Sequence, residues 1–259
     1  MENYSGTCNR LTDFTPSLAA LGARVTHLRL RLLANHGAEL DFTQHGIPES
    51  ATILWLNYTP HGGNCWPLEI HGNTPPRRFR GTKISLYGVQ MKTSEGIPIE
   101  EEFEGNNIGV MVLWAPAADS DTPWLYLVDA IEAVTLGRFS QAIVPAHAAT
   151  EIATRPTIHS LLFKYSADTQ IEKFLKQEQQ KKLAFYSILN EVLPLVAALA
   201  GAKPLPDAIT VRLHTLRDRR NDFVHEGLLP TTVDATQIRE LLCAATFGFE
   251  YAKYLQRFL

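Results

Sequence analysis

The chain has 259 residues, of which 45% are hydrophobic and 20% are charged, and its formal net charge is −3 at pH 7. This composition is typical of a globular protein with enough apolar side chains for a core, and it argues against a generally basic nucleic-acid binder. We find neither an apolar run long enough for a membrane span nor a signal peptide. Cys8, Cys65 and Cys243 lie far apart without metal-binding spacing. We therefore expect reduced thiols in a cytoplasmic protein, with no metal, no cofactor and no membrane partner.

The first half of the chain is predicted to be rich in β-strands. Residues 1–20 are polar and without a clear period, so we expect them to form a loose arm. Beyond them, alternating or β-branched runs separated by Gly, Pro and Asn predict five strands. These runs are Val25–Leu32, Thr52–Tyr58, Trp66–Ile70, Lys83–Gly88 and Ile108–Trp114. Short strands with such turns favour an antiparallel sandwich or barrel, and we assign residues 1–120 to a β domain of unknown role.

The second half is predicted to be helical, after a linker at Pro116–Pro123. Periodic apolar spacing and end signals predict a helical domain over residues 124–259. Its helices are Leu125–Val134 before Gly137, Arg138–Thr154 before Pro156, Ile171–Leu199 with a kink at Pro194 and a cap at Gly201, one from Pro206-Asp207 to Gly227, and one from Asp234 to about Phe258. The predicted fold class is α+β with two domains.

Three polar side chains, Arg220, Asn221 and His225, lie near the end of the fourth predicted helix. At about 100° per residue, Asn221 and His225 stack one turn apart. Arg220 shares its face with Leu213 and Leu216, so we expect it to lie among apolar neighbours. A guanidinium, an amide and an imidazole are thereby grouped near one helix end.

The run Arg220-Asn221-x-x-x-His225, followed by Glu226-Gly227, resembles the signature of HEPN domains, in which an arginine and often a polar residue precede a histidine. The order of helices is also similar, including an alanine-rich second helix that leads to Glu151. HEPN domains are small α-helical bundles, and many are metal-independent endoribonucleases that act as dimers. The resemblance covers about the C-terminal half of the chain. It implies an RNA-cleaving homodimer, of the kind found in toxin–antitoxin and phage-defence systems.

The resemblance assigns roles that fit the chemistry of these side chains. His225 would move protons near neutral pH, and Arg220 would stabilise charge on the phosphate. Asn221 could hold the imidazole or contact the phosphate, and Glu151 could orient Arg220 from the second helix. Attack by the 2′-hydroxyl would give a 2′,3′-cyclic phosphate. One Arg/His pair offers too few groups for the whole reaction, so two protomers are expected to contribute.

Each assignment has a structural alternative. His225 could cap the carbonyl groups at the helix end, and Arg220 could pair with Asp218 or Asp222. Glu151 could form a surface salt bridge. For the whole chain, the alternative is a non-catalytic HEPN-like module for dimerisation or RNA binding. In either case the β domain would sense a trigger or bind an antitoxin or regulatory partner.

A second candidate RNA contact lies in the β domain. Arg77, Arg78, Arg80 and Lys83 surround Phe79 after a Pro-Pro turn, which combines positive charge with one aromatic ring for base stacking. The alternative for this patch is an ordinary solvated face.

Overall fold

The computed structural model describes residues 17–19, 21–61, 65–70, 79–99, 106–116, 122–165, 184–226 and 234–259. Contacts divide the chain into two compact units, with a boundary between Asp121 and Thr122. Antiparallel sheets form the first, the β unit, and helices form the second, the helical unit. The fold is therefore mixed α+β, as predicted. The expected loose arm at residues 1–20 lies almost wholly outside the described residues.

The β unit contains two antiparallel sheets. One has the strand order β1-β7-β3-β5 and the other β2-β6-β4. The strands are β1 Arg24–Leu32, β2 Gly37–Asp41, β3 Thr52–His61, β4 Cys65–Ile70, β5 Phe79–Arg80, β6 Lys83–Gln90 and β7 Asn106–Ala115. The five predicted strands correspond to β1, β3, β4, β6 and β7. The sequence did not predict β2 or β5, because β2 has no β-branched residue and β5 has only two residues.

Side chains from both sheets meet in one hydrophobic core. The buried faces of β1 and β7 contribute Leu28 and Val112, and those of β2 and β6 contribute Leu40 and Leu86. Two sheets that bury facing side chains in this way are arranged as the layers of a sandwich.

Gly88 lets the segment after β1 cross closely over β6. The Asn35 N–H donates to the Gly88 carbonyl at 2.7 Å, and the Gly88 N–H donates to the His36 carbonyl at 3.0 Å. A Cβ atom at Gly88 would lie only 2.1 Å from the Leu33 carbonyl oxygen. The backbones therefore approach more closely here than any side chain would allow.

The helical unit is organised around its second helix, α2, which packs against α1, α4 and α5. The helices are α1 Thr122–Thr135, α2 Phe139–Tyr165, α3 with segments Phe185–Ser187, Ile188–Val192 and Leu193–Leu199, α4 Asp207–Glu226, and α5 Ala235–Gln256. The described part of the chain contains no helix that is both long and apolar enough to cross a membrane.

Local end signals predict several helix ends correctly. The helix α4 begins at Asp207 directly after Pro206, as expected. The Asp234 side chain caps α5 by accepting hydrogen bonds from two backbone N–H groups, each at 2.8 Å. A π-helical turn, Ile188–Val192, comes just before Pro194, where the sequence predicts a kink. The predicted start of the third helix at Ile171 lies outside the described residues.

The predicted end of the second helix was wrong, because α2 continues through Pro156 to Tyr165. A proline inside a helix costs about 3 kcal/mol through its missing N–H and its steric clash. Here Pro156 is exposed, whereas Ile158 and Leu161 beyond it are buried in the core. Burial of those side chains offsets the cost of the proline.

Gly248 on α5 brings α2, α4 and α5 together at Leu213 of α4. A Cβ atom at Gly248 would lie 2.7 Å from the Thr150 Cγ2 atom on α2 and 3.2 Å from the Leu213 Cδ1 atom on α4. The Thr150 hydroxyl donates to the Ala245 carbonyl at 3.3 Å. Close packing at this glycine therefore fixes the positions of α2 and α4 on the same side of α5.

Candidate active site

Arg220 and Asn221 form a hydrogen-bonded pair on α4. Leu213 and Leu216 are 1% and 0% exposed and anchor the helix in the core. Arg220, on the neighbouring part of the helix surface, is half-buried, and its Nη1 atom donates to the Asn221 Oδ1 atom at 3.0 Å. The Asn221 side chain therefore binds the guanidinium of Arg220. It does not hold the imidazole of His225, which the sequence also allowed.

His225 lies in the last turn of α4 with an exposed side chain. No hydrogen bond joins its imidazole to any residue in the described part of the chain, so the alternative in which the ring caps helix carbonyls has no support there. Neither ring nitrogen of His225 has a hydrogen-bond partner among the described residues.

On α2, His147, Glu151 and Arg155 form a row at four-residue spacing, which places them on one face of the helix. The Arg155 Nε atom donates to the Glu151 Oε1 atom at 2.8 Å. The other carboxylate oxygen of Glu151, Oε2, lies 3.5 Å from the His147 Nδ1 atom. A carboxylate facing Nδ1 favours the tautomer that carries its proton there.

His147 is the buried member of this row, with 4% of its surface exposed. Its Nε2 atom is buried and has no hydrogen-bond partner among the described residues. The ring packs edge-on against Phe185 on α3, with ring centroids 5.2 Å apart. With Nδ1 protonated, Nε2 presents an unused lone pair inside the protein.

Burial lowers the pKa of His147 from 6.5 to about 4. The carboxylate of Glu151 opposes this shift, whereas the nearby guanidinium groups of Arg220, Arg217 and Arg155 add to it, in that order of size. His147 is therefore neutral at physiological pH. The helices α2 and α4 pack against each other, so the Arg220 guanidinium on α4 is within range of an electrostatic effect on His147.

The three guanidinium groups around His147 differ in their partners. Arg155 is bonded to Glu151, and Arg217 donates through Nε to the Asp218 Oδ1 atom at 3.0 Å. Arg220 has only its bond to the Asn221 amide, and no carboxylate pairs with it among the described residues. Within the described part of the chain, its remaining N–H donors have no partner and could bind an anion.

The structure does not support the predicted contact between Glu151 and Arg220. Both oxygens of Glu151 face groups on its own helix, Arg155 and His147. The alternative in which Arg220 pairs with Asp218 is not observed either, because Asp218 is bonded to Arg217. Each of the observed pairs joins residues of one helix. On α2, Glu151 and Arg155 are four residues apart, and on α4, Arg217 and Asp218 are adjacent in sequence.

Next to Arg220, α3 and α4 carry a group of aromatic and polar side chains. The Arg217 guanidinium lies 4.9 Å from the centroid of the Tyr186 ring, and Tyr186 is 49% exposed. The His214 ring lies 4.7 Å from the same ring, and its Nε2 atom is 2.9 Å from the Asn190 Oδ1 atom. Burial lowers the pKa of His214, and Arg217 lowers it further.

The predicted basic patch of the β unit lies mostly outside the described residues, which exclude Arg77, Arg78 and the side chain of Arg80. Lys83 is described, and its Nζ atom lies 2.7 Å from the Glu39 Oε1 atom and 3.8 Å from the Asp41 Oδ2 atom. These acidic partners agree with the alternative of an ordinary solvated face at Lys83.

The sequence analysis did not single out His147, Arg217 or Tyr186. His147 had a usable signal, since it lies four residues before Glu151 on the alanine-rich face of α2. Arg217 lies three residues before Arg220, which places the two guanidinium groups on adjacent positions of α4. Tyr186 had no comparable signal, because only the tertiary packing of α3 on α4 brings it to Arg217.

Within the described residues, no group of three or more His, Cys, Asp or Glu side chains is placed to hold a metal ion. Comparison with known protein families found no matching family. Neither the curated proteins nor the solved structures include a significant match to this chain.

Proposed function

We propose that the chain is a metal-independent endoribonuclease of the HEPN type, which acts in the cytoplasm as a toxin or phage-defence effector. The Arg220 guanidinium carries this proposal. It is half-buried on α4, and it has no carboxylate partner among the described residues. A planar guanidinium in such a place suits a phosphate, which it can bind through two N–H groups at once.

His225 supplies the group that moves protons. It lies five positions after Arg220 on the same helix, and its ring is exposed and free of described partners. In the proposed reaction, an imidazole takes the proton of the RNA 2′-hydroxyl, and the 2′-oxygen forms a bond to the adjacent phosphorus atom. The bond from phosphorus to the 5′-oxygen breaks as that oxygen receives a proton. The products are a 2′,3′-cyclic phosphate and a 5′-hydroxyl.

The reaction also requires stabilisation of the phosphate, whose non-bridging oxygens gain negative charge as the 2′-oxygen attacks. Arg220 has this role, since a fixed guanidinium aimed at developing charge can contribute several kcal/mol. Asn221 restricts the guanidinium through the 3.0 Å hydrogen bond. Glu151 acts indirectly, through His147 and Arg155 on α2.

Two proton-transfer groups are needed, and each chain presents one exposed His225. We therefore propose a homodimer formed through the helical unit, in which the two copies of His225 act as base and acid. The β unit would bind an antitoxin or another regulatory partner.

A second candidate is a non-catalytic module that binds RNA. The exposed ring of Tyr186, with the Arg217 guanidinium 4.9 Å from its centroid, favours it. Aromatic rings next to arginines stack on RNA bases without cutting the strand.

Incubation of the purified protein with total RNA in EDTA tests the first candidate. We expect cleavage by the wild type, 2′,3′-cyclic phosphate ends on the products, and no cleavage by His225→Ala. A requirement for a divalent ion, or full activity of His225→Ala, would contradict the mechanism. If both proteins bind RNA and neither cuts it, the second candidate is favoured.

A further inference from the structure

His147 has an unusual environment for a side chain with a purely structural role. A buried polar atom without a hydrogen bond costs about 1–3 kcal/mol, so an apolar side chain of similar size would pack at this position with less penalty. Yet the Nε2 atom of His147 is buried and unpartnered, and the ring lies between Phe185 and Glu151. The fold retains an acceptor here that its own described residues do not use.

Arg220 is the best donor for this acceptor. Of the three guanidinium groups near His147, those of Arg155 and Arg217 are bonded to carboxylates. The helices α2 and α4 pack against each other, and Arg220 is the only one of the three guanidinium groups without a carboxylate partner among the described residues. A neutral imidazole accepts a hydrogen bond from a guanidinium, whereas a protonated imidazole would repel it.

We infer that His147 is a positioning residue for Arg220: its Nε2 atom accepts a hydrogen bond from the guanidinium when Arg220 grips an RNA phosphate. This inference rests on the proposed function and adds a residue on α2 to the site. The Glu151 carboxylate, 3.5 Å from Nδ1, favours the tautomer in which Nε2 presents its lone pair. Asn221 and His147 then hold the guanidinium from two sides, and the remaining donors face the phosphate.

A pair of substitutions separates the two ring nitrogens. In His147→Gln the side-chain amide reaches the position of Nε2 and can accept from Arg220. In His147→Asn the amide reaches only the position of Nδ1 and can still donate to Glu151. We expect the Gln variant to keep kcat/KM within a few-fold of the wild type. The Asn variant should lose about tenfold or more, because small errors in the placement of a catalytic group can cost up to about 100-fold.

Combination with Arg220→Gln tests whether His147 acts through Arg220. If it does, adding His147→Asn to Arg220→Gln should cause no further loss of kcat/KM. Losses that multiply would overturn the inference, and so would wild-type activity of a folded His147→Asn protein. Thermal unfolding of each variant shows that the comparison is made between folded proteins.

A binding measurement keeps this inference distinct from the proposed function. An RNA oligonucleotide with 2′-deoxy sugars can bind the site but cannot be cut, and ¹⁵N NMR reports directly on His147. In the free protein we expect the ¹⁵N chemical shift of Nε2 to be that of an unprotonated nitrogen without a hydrogen bond. With saturating oligonucleotide it should move toward the chemical shift of a nitrogen that accepts a hydrogen bond. An unchanged resonance would overturn the inference even if the RNA is cleaved. If the resonance moves as expected but normal RNA is not cleaved, the proposed nuclease activity is contradicted and the inference about His147 is not.

Discussion

The buried imidazole of His147 should make the stability of the protein depend on pH in a specific range. Burial lowers the pKa of His147 from 6.5 to about 4, so the folded protein resists a proton that the unfolded chain accepts. The free energy of unfolding therefore contains a contribution that is present above pH 6.5 and is lost as the pH falls toward 4. At about 1.4 kcal/mol per pKa unit, this loss amounts to about 3 kcal/mol.

Substitution by a residue that does not titrate isolates this contribution. The assay is urea unfolding of the wild type and of His147→Leu at pH values between 7.5 and ~3.5. We expect the difference in stability to change by about 3 kcal/mol in favour of His147→Leu as the pH falls, because the carboxylates common to both proteins cancel. His147→Gln is the matched control and should follow His147→Leu. Parallel curves for the wild type and both variants would refute the reasoning.

Two further predictions concern Arg220 and the dimer. Arg220→Ala should abolish cleavage yet lower the free energy of unfolding by only about 1 kcal/mol, since the described hydrogen bond of Arg220 is to the Asn221 amide on the same helix. A loss of about 3–5 kcal/mol in urea unfolding would instead reveal a buried ion pair. Mixing the wild type with excess His225→Ala chains should lower the cleavage rate per wild-type chain as heterodimers form. An unchanged rate after confirmed subunit exchange would mean that each chain has a complete site.

The elements that the sequence predicted well are those whose ends carry local chemistry. Asp234 and Pro206 mark helix starts through backbone hydrogen bonding and a fixed φ angle, and both act within a single turn. The end of α2 could not be predicted in this way, because the local signal of Pro156 is overridden by the burial of Ile158 and Leu161. Likewise β2 forms because β6 pairs with it, which a pattern within Gly37–Asp41 does not indicate.

The candidate site was predictable only in part for the same reason. The spacing of Arg220, Asn221 and His225 on α4 follows from the helix period, and the structure places all three on that helix. The partner of Arg220 did not follow, since the sequence indicated Glu151, Asp218 or Asp222, whereas the observed partner is the Asn221 amide on the same helix. The importance of His147 depends on two tertiary properties, the burial of its ring and the absence of a donor for Nε2.

The environment of His147 also helps to distinguish the two candidate functions, the nuclease and the module that only binds RNA. A module that binds RNA through the Tyr186 ring, without using Arg220, gains nothing from an unsatisfied imidazole at His147, because an apolar side chain would remove the cost of the buried nitrogen. A nuclease does gain from it, since a neutral acceptor can fix the angle of Arg220 without cancelling its charge. The effect of His147→Leu on cleavage at neutral pH, and not its effect on stability, therefore discriminates between the two functions. Both functions predict equal or greater stability, but only the nuclease predicts that this gain is accompanied by slower cleavage.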